Sequence, residues 1–236
     1  MIDVKNIGIC IASVNNKCTP VLLTSIKEYV HIDIDVYLCV NDYINHGLNH
    51  KVIQIPNIYN SFGDAYNKVV QEAFKTKEYV LICNDDIVFN PDTINDLLMN
   101  VTLIQGNDGF DTMGYLACRT DFAAGLQNIR MHDNTKNLGN KYENEYYVMF
   151  NTVKISPICA LISKSAWIDF KPINYFSDDI QCSDIRKKGY KHYIGTFYVH
   201  HVGSQSLDTQ KNEINKALDW MKIHDKENYN IYKDVY

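Results

Sequence analysis

The sequence lacks the patterns by which many common functions announce themselves. It has no Cys-x-x-Cys pair. Its seven cysteines (Cys10, Cys18, Cys39, Cys83, Cys118, Cys159 and Cys182) are scattered, odd in number and mostly set in apolar runs. Disulfide frameworks and zinc ribbons are thereby excluded, and a reducing compartment is predicted. No apolar stretch approaches the length of a membrane-crossing helix, and the first residues lack the layout of a signal peptide. The expectation is a soluble protein of the cytoplasm with no transmembrane segment. No Lys/Arg run exceeds Arg186-Lys187-Lys188, and the formal net charge is −5, which argues against a nucleic-acid partner. Gly-x-Gly-x-x-Gly and the P-loop signature are also missing, so the ordinary dinucleotide and nucleoside-triphosphate cradles are excluded. Without repeats, low-complexity segments or linkers, the 236 residues read as one domain large enough for a sizeable core.

What is present centres on Tyr79-Val80-Leu81-Ile82-Cys83-Asn84-Asp85-Asp86-Ile87-Val88-Phe89. An apolar run ends in one polar residue and two carboxylates, then an apolar run resumes. Length and β-branched content predict a buried central strand with the acids at its C-terminal tip, where open α/β sheets bind ligands. Adjacent aspartates repel unless a cation or donors neutralise them, and a hard divalent cation that also bridges to phosphates is their commonest partner. The plainer reading is a polar strand-to-helix turn, since Asn90-Pro91-Asp92 carries helix-start chemistry.

Along the chain, Val4–Ala12 reads as a first strand. A helix then starts at Thr19-Pro20, with Thr19 as its N-cap. Ile34–Val40 is a second strand ending in Asn41-Asp42, and Lys51–Ile55 a third. A helix capped by Asn60 or Ser61 follows, with Gly63 placed to let a ligand approach the backbone. After the aspartate strand come a helix from Pro91 to about Val101 and a strand over Met113–Cys118. This alternation predicts an α/β fold with a mostly parallel sheet and helices on both faces. Periodicity fades from Arg119 to about Phe150, and the aromatics Tyr142, Tyr146, Tyr147 and Phe150 favour a binding loop over disorder. Val153–Ser163 reads as a strand interrupted at Pro157. Phe176-Ser177-Asp178-Asp179 opens a helix that Gly189 ends. Tyr190–Val199 is a strand delivering His200-His201, and Leu207–His224 an amphipathic helix.

Three polar clusters therefore fall at element ends: Asn84-Asp85-Asp86, Asp178-Asp179 and His200-His201. Carboxylate plus imidazole suits a manganese-like cation, with phosphate oxygens and water completing the shell. A separate carboxylate pair could serve as general base, although acids in a first helical turn are also ordinary macrodipole chemistry.

The constellation resembles the glycosyltransferases of the GT-A fold, particularly the inverting family-2 group, with members in large DNA viruses, phages and bacteria. Asn84-Asp85-Asp86 is similar to its Asp-x-Asp motif in an Asn-x-Asp form. Asn60-x-x-Gly63-x-x-x-Asn67 is similar to the segment preceding that motif. Phe176-Ser177-Asp178-Asp179-x-x-Cys182-x-x-x-Arg186-x-x-Gly189-Tyr190 is similar to the acidic acceptor-site motif, and His200-His201-x-Gly203-Ser204-x-Ser206 to the His-His-x-Gly-Ser ending. The resemblance implies one GT-A domain with a nucleotide-binding half (1–105), an acceptor-binding half (106–206) and a C-terminal helix and tail (207–236). It also implies roles. Asp86 ligates Mn2+ or Mg2+ together with His200, His201 being the alternative. Asn84 and Asp85 face the ribose and diphosphate, Ala12, Ser13, Asn41 and Asp42 flank the nucleotide, and Asn67 supports the loop beside the diphosphate. Asp178, eleven residues before Gly189, is the base, with Asp179 close behind. Two positions depart from the pattern: Ile180 stands where an acid is usual and Asp184 where an arginine is.

The implied activity is an inverting hexosyl or deoxyhexosyl transfer from a UDP-sugar to a glycan or other hydroxyl acceptor. A nucleotidyltransferase shares such a sheet and metal but wants a Gly- and Lys/Arg-rich loop after the first strand, which Ser13-Val14-Asn15-Asn16-Lys17 does not supply. A catalytically inactive sugar-nucleotide or glycan-binding module is the alternative from a different class.

Overall fold

The computed structural model of the chain describes residues 2–13, 17–59, 61–107, 110–123, 125–129, 149–202 and 210–234. Asn60, Gly203, Ser204 and Ser206 of the motifs lie outside these residues, as do Tyr142, Tyr146 and Tyr147 of the expected binding loop.

The first half alternates as its periodicity predicts. Strand β1 (Ile7–Ala12) leads to helix α1 (Thr19–Tyr29), β2 (Asp35–Val40), β3 (Val52–Pro56), α2 (Phe62–Ala73) and β4 (Tyr79–Asn84). The first strand is shorter than expected because Val4–Asn6 forms a 3-10 turn, closed by the Asp3 side chain accepting from the Lys5 N–H. Asp85 and Asp86 form a tight turn between two strands rather than a strand-to-helix junction, for β5 (Ile87–Phe89) follows at once. Then come α3 (Thr93–Asn107), β6 (Met113–Thr120), β7 (Phe150–Thr152), β8 (Cys159–Ser163), α4 (Ser177–Lys187), β9 (Lys191–His201), α5 (Gln210–His224) and α6 (Lys226–Tyr232).

All nine strands join one sheet, ordered β3-β2-β1-β4-β8-β6-β9-β5, with β7 also pairing with β9. Strands β1, β2, β3, β4, β6 and β9 run one way and β5, β7 and β8 the other. The expected α/β class with a mostly parallel sheet is what the chain forms. Buried β1, β4 and β8 are the continuous apolar runs that a strand covered on both faces requires.

Helices cover both faces. Leu22, Leu23 and Ile26 of α1 and Leu97, Val101 and Ile104 of α3 pack with Ile7, Ile9 and Ile11 on one face. Tyr66, Val69, Val70 and Ala73 of α2 and Cys182 and Ile185 of α4 pack with Cys10, Val80 and Ile82 on the other. A third cluster joins Ile173, Phe176 and Ile180 to Ile214, Ala217 and Met221 of α5. That contact explains why position 180 carries isoleucine here: fully buried beneath the C-terminal helices, an acid there would meet no water. Among the described residues no helix is long and apolar enough to cross a membrane.

Candidate active site

Strand β1 pairs with β2 on one side and β4 on the other, while the connecting helices α1 and α2 lie on opposite faces. This reversal opens a crevice at the C-terminal ends of β1 and β4, the position at which open α/β sheets take ligands. In register, Ala12 pairs with Asn84, so the residues after each strand, Ser13 and Asp85, meet at the crevice.

They are bonded to each other. Thr19 Oγ1 donates to Ser13 Oγ (2.9 Å), which donates to Asp85 Oδ2 (2.5 Å), all three side chains being buried. Burial raises the Asp85 pKa, with the Ser13 hydrogen bond opposing it and the Asp86 charge adding to it. Ser13, expected at the nucleotide, has its hydroxyl engaged with Asp85, which is expected there too. Its carbonyl accepts from Asn57 Nδ2 (2.9 Å) and its N–H donates to the Cys39 carbonyl (2.8 Å), tying the turn to β2 and β3. The helix cap also differs from expectation. Cys18 occupies the cap position and Thr19 is the first helical residue, because its hydroxyl serves the buried Ser13. Asn84 is half-buried, with its N–H donating to the Ile158 carbonyl (2.8 Å). Asn41 and Asp42 are exposed just past β2.

Asp86 meets a histidine, and it is His201. His201 Nε2 lies 3.1 Å from Asp86 Oδ1, with both side chains about 8% exposed. His200, which the resemblance favoured as the ligand, turns to the other side, its Nδ1 2.8 Å from Asp121 Oδ2. The reason is register. Strand β9 does not stop at Val199 but continues two residues further through His201, which pairs with Ile87, so the two consecutive histidines point to opposite faces and only His201 meets Asp86. The Phe122 carbonyl contacts His201 Nδ1 at 2.5 Å. A carbonyl only accepts, so Nδ1 carries a proton and Nε2 faces a carboxylate with its lone pair unless a second proton or a cation intervenes. Burial disfavours the imidazolium, but the hydrogen bond and charge of Asp86 outweigh it and raise the His201 pKa.

The spacing suits a shared cation. Ligands about 2.1 Å from an octahedral ion and at right angles to one another stand roughly 3 Å apart. Among the described residues no group of three or more His, Cys, Asp or Glu side chains could hold a metal ion. Asp86 and His201 are thus two candidate donors among the described residues, and the rest of a coordination shell would fall to ligand oxygens and water.

The second acid pair opens α4. Lys154 Nζ bonds Asp179 Oδ1 at 2.8 Å, whereas no ion pair of this kind is formed by Asp178 among the described residues. Burial and then repulsion by Asp179 push the Asp178 pKa up to about 6. A carboxyl poised there, beside a partner fixed by a lysine, has the properties of a general base near neutral pH. Phe176, just before this turn, has φ of 63°, the one non-glycine left-handed residue among those described. Its ring stacks on Tyr232 of α6 at 4.6 Å, so the C-terminal helices support a strained entry to the acidic turn.

The segment between Thr152 and β8 joins the two acid sites. Lys154 holds Asp179, the Ile155 carbonyl accepts from Cys182 Sγ (3.6 Å), and the Ile158 carbonyl holds the N–H of Asn84. Ile158 is four positions after Lys154, which limits their Cα atoms to about 14 Å apart. One short segment thus touches both the start of α4 and the end of β4.

Gly63 and Asn67 are engaged with the segment leading into α4. Asn67 Nδ2 donates to the Phe170 carbonyl (2.9 Å) and its Oδ1 accepts from the Phe170 N–H (2.8 Å). A methyl group at Gly63 would overlap the Lys171 carbonyl oxygen, so this glycine permits a close backbone approach, but by the protein's own chain. Gly63→Ala is expected to cost about 2–3 kcal/mol and lower Tm by roughly 5–10 °C in a thermal melt. An unchanged Tm would mean that the two segments do not meet there.

Four contributors escaped sequence reasoning: Thr19, Asp121, Lys154 and the Phe122 carbonyl. Asp121 alone left a usable sign, because Arg119-Thr120-Asp121 ends an apolar strand in polar residues just as Asn84 does.

No protein-family model matches the chain, and comparison with curated proteins finds no match. Solved structures do resemble it. A crystal structure of S. aureus TarS 1-349 in complex with UDP-GlcNAc matches with a TM-score of 0.58 and 14% identity, covering 92% of this chain and 64% of that one. The same protein in complex with UDP gives a TM-score of 0.52 and 13% identity, over 84% and 58% of the two chains. A structure of S. aureus TarS gives 0.51 and 15%, over 83% and 36%. This chain spans less than two thirds of each. At such identities the similarity is one of fold: the chain has a GT-A-like fold.

Proposed function

We propose that the protein is a glycosyltransferase that moves a sugar from a UDP-sugar to a hydroxyl acceptor with inversion. The observation that carries this reading is a pair of acid sites linked by one short segment of a GT-A-like fold. One site is tied to a histidine and suited to a cation, and the other holds an acid of raised pKa. The complexes of TarS with UDP-GlcNAc and with UDP support UDP as the nucleotide.

Asp86 Oδ1 and His201 Nε2 would hold Mn2+ or Mg2+, which when bound supplies Lewis-acid stabilisation of the departing diphosphate. Ser13 and Thr19 keep Asp85 in one rotamer beside Asp86, so the ligand meets a fixed pattern of acceptors rather than a mobile pair. Asp178 accepts the proton of the acceptor hydroxyl as that oxygen attacks the anomeric carbon. Lys154 ties down the neighbouring Asp179, while burial and then the Asp179 charge keep the Asp178 pKa raised against a smaller lowering by Lys154. Attack from the side opposite the diphosphate inverts the anomeric centre.

Calorimetry tests the donor half of this reading. UDP is expected to bind with micromolar affinity in Mn2+ and at least tenfold more weakly in EDTA. Equal binding in both would remove the cation from the account, and no binding in either would remove the nucleotide.

A further inference from the structure

Three acidic residues are less than a tenth exposed among those described: Asp85, Asp86 and Asp121. The first two form the ligand-facing turn, and Asp121, 2% exposed just past β6, has no task in the chemistry above. A buried carboxylate is costly unless its charge is answered, so its surroundings indicate its use. Asp121 Oδ1 accepts from the backbone N–H of His201 at 3.0 Å. Oδ2 lies 2.8 Å from His200 Nδ1, at ion-pair distance though not aligned as a hydrogen bond. The next residue completes the grip. The Phe122 carbonyl takes His201 Nδ1, and the Phe122 ring stands edge-on to the imidazole at 5.9 Å. Two consecutive residues thus hold His201 by its backbone, its far ring nitrogen and its ring face, leaving Nε2 directed at Asp86.

We propose that Asp121 is a positioning residue that fixes His201, and through it the Asp86–His201 pair, for a divalent cation. This rests on the reading of that pair as the cation site. By accepting the His201 backbone N–H, Asp121 fixes the main chain that carries the imidazole, while the Phe122 carbonyl beside it fixes the ring, together acting as the outer hydrogen-bond partners of a ligating histidine do. The sequence hid the role because Asp121 is 80 residues from His201 and touches its backbone rather than any motif.

The test uses the full-length protein with Mn2+ and UDP, read by electron paramagnetic resonance for affinity and for nitrogen coupling from a bound imidazole. Wild type is expected to show that coupling. Asp121→Asn, which keeps size and one acceptor but loses the charge, is expected to weaken Mn2+ binding 10- to 100-fold and diminish the coupling. Its Tm and its metal-free UDP affinity should be unchanged, and Asp121→Glu should restore part of the loss. If Asp121→Asn binds Mn2+ within twofold of wild type, with equal coupling, the positioning role is overturned while the cation site stands. If wild type itself shows no imidazole coupling, the cation-site reading fails and takes this inference with it. Should Asp121→Asn not fold, the wild-type His201 amide decides. A carboxylate-bound N–H exchanges slowly and resonates downfield, and one exchanging like a loop amide contradicts the role.

Discussion

Replacing Asp178 by asparagine is expected to lower kcat about 1,000-fold, leave UDP-sugar affinity within twofold, and raise Tm at neutral pH. The three effects follow from one cause. Burial and the Asp179 charge disfavour the ionised form of Asp178, so its pKa rises to about 6 and the folded protein carries an unfavourable charge at pH 7. The folded pKa lies above the unfolded one, so the folded state binds the extra proton and stability falls as pH rises through the interval between about 4 and 6. Asparagine removes that cost, and Tm should rise by about 2–4 °C for each kcal/mol relieved. The gain should vanish below pH 4, where wild type is protonated as well. The rate shows the same group from the other side. A base active only when ionised makes wild-type kcat fall tenfold per pH unit below about 6 and stay flat above it. Stability melts at pH 7.5 and pH 4, with initial rates from pH 5 to 8, check all of this. Lower stability in Asp178→Asn, or a rate that ignores pH across 6, would remove Asp178 as the base.

The second large effect is expected at Asp86. Asp86→Ala deletes one of the two donors and leaves His201 Nε2 facing a void. Loss of Lewis-acid stabilisation worth several kcal/mol corresponds to a fall in turnover of at least 100- to 1,000-fold. The Mn2+ dependence of UDP binding should disappear with it. A further consequence needs no cation. In wild type the hydrogen bond and charge of Asp86 overcome burial and hold the His201 pKa above its ordinary value. In Asp86→Ala the burial remains alone, so the His201 pKa should drop below that value. A histidine-resolved proton NMR titration of both proteins measures this directly, and an unchanged His201 pKa would mean that the pair is not formed.

The sheet was legible because buried strands are apolar runs, and Val80–Cys83, Ile9–Ile11 and Leu161–Ile162 have no other stable home. The polar tips were legible for the same reason: Asn84-Asp85-Asp86 and Asn41-Asp42 interrupt such runs abruptly. Short elements were not. Strands β5 and β7 have three residues each, too few for a period, and β7 follows the aperiodic stretch in which a strand was not expected. Val153–Ile158, expected as strand, is irregular, because Lys154 and Ile155 are drawn to α4 rather than to a neighbouring strand. The exchange of His200 for His201 was a matter of where β9 ends, and element boundaries are set by tertiary pairing, here with Ile87, more than by local sequence. Gly63 and Asn67 carried a motif whose local chemistry fits a ligand or a backbone equally, and only the fold shows that Phe170 and Lys171 occupy that space.

The central claim, that the fold joins a cation-dependent diphosphate site to a general base, is tested most directly by donor hydrolysis, which needs no acceptor. UDP release would be measured over a panel of UDP-sugars in Mn2+ and in EDTA, for wild type, Asp86→Ala and Asp178→Asn. The account predicts Mn2+-dependent release from one donor, abolished in Asp86→Ala and sharply reduced in Asp178→Asn. Release that persists in EDTA and in both variants, or binding of UDP-sugars with no release from any of them, would contradict it.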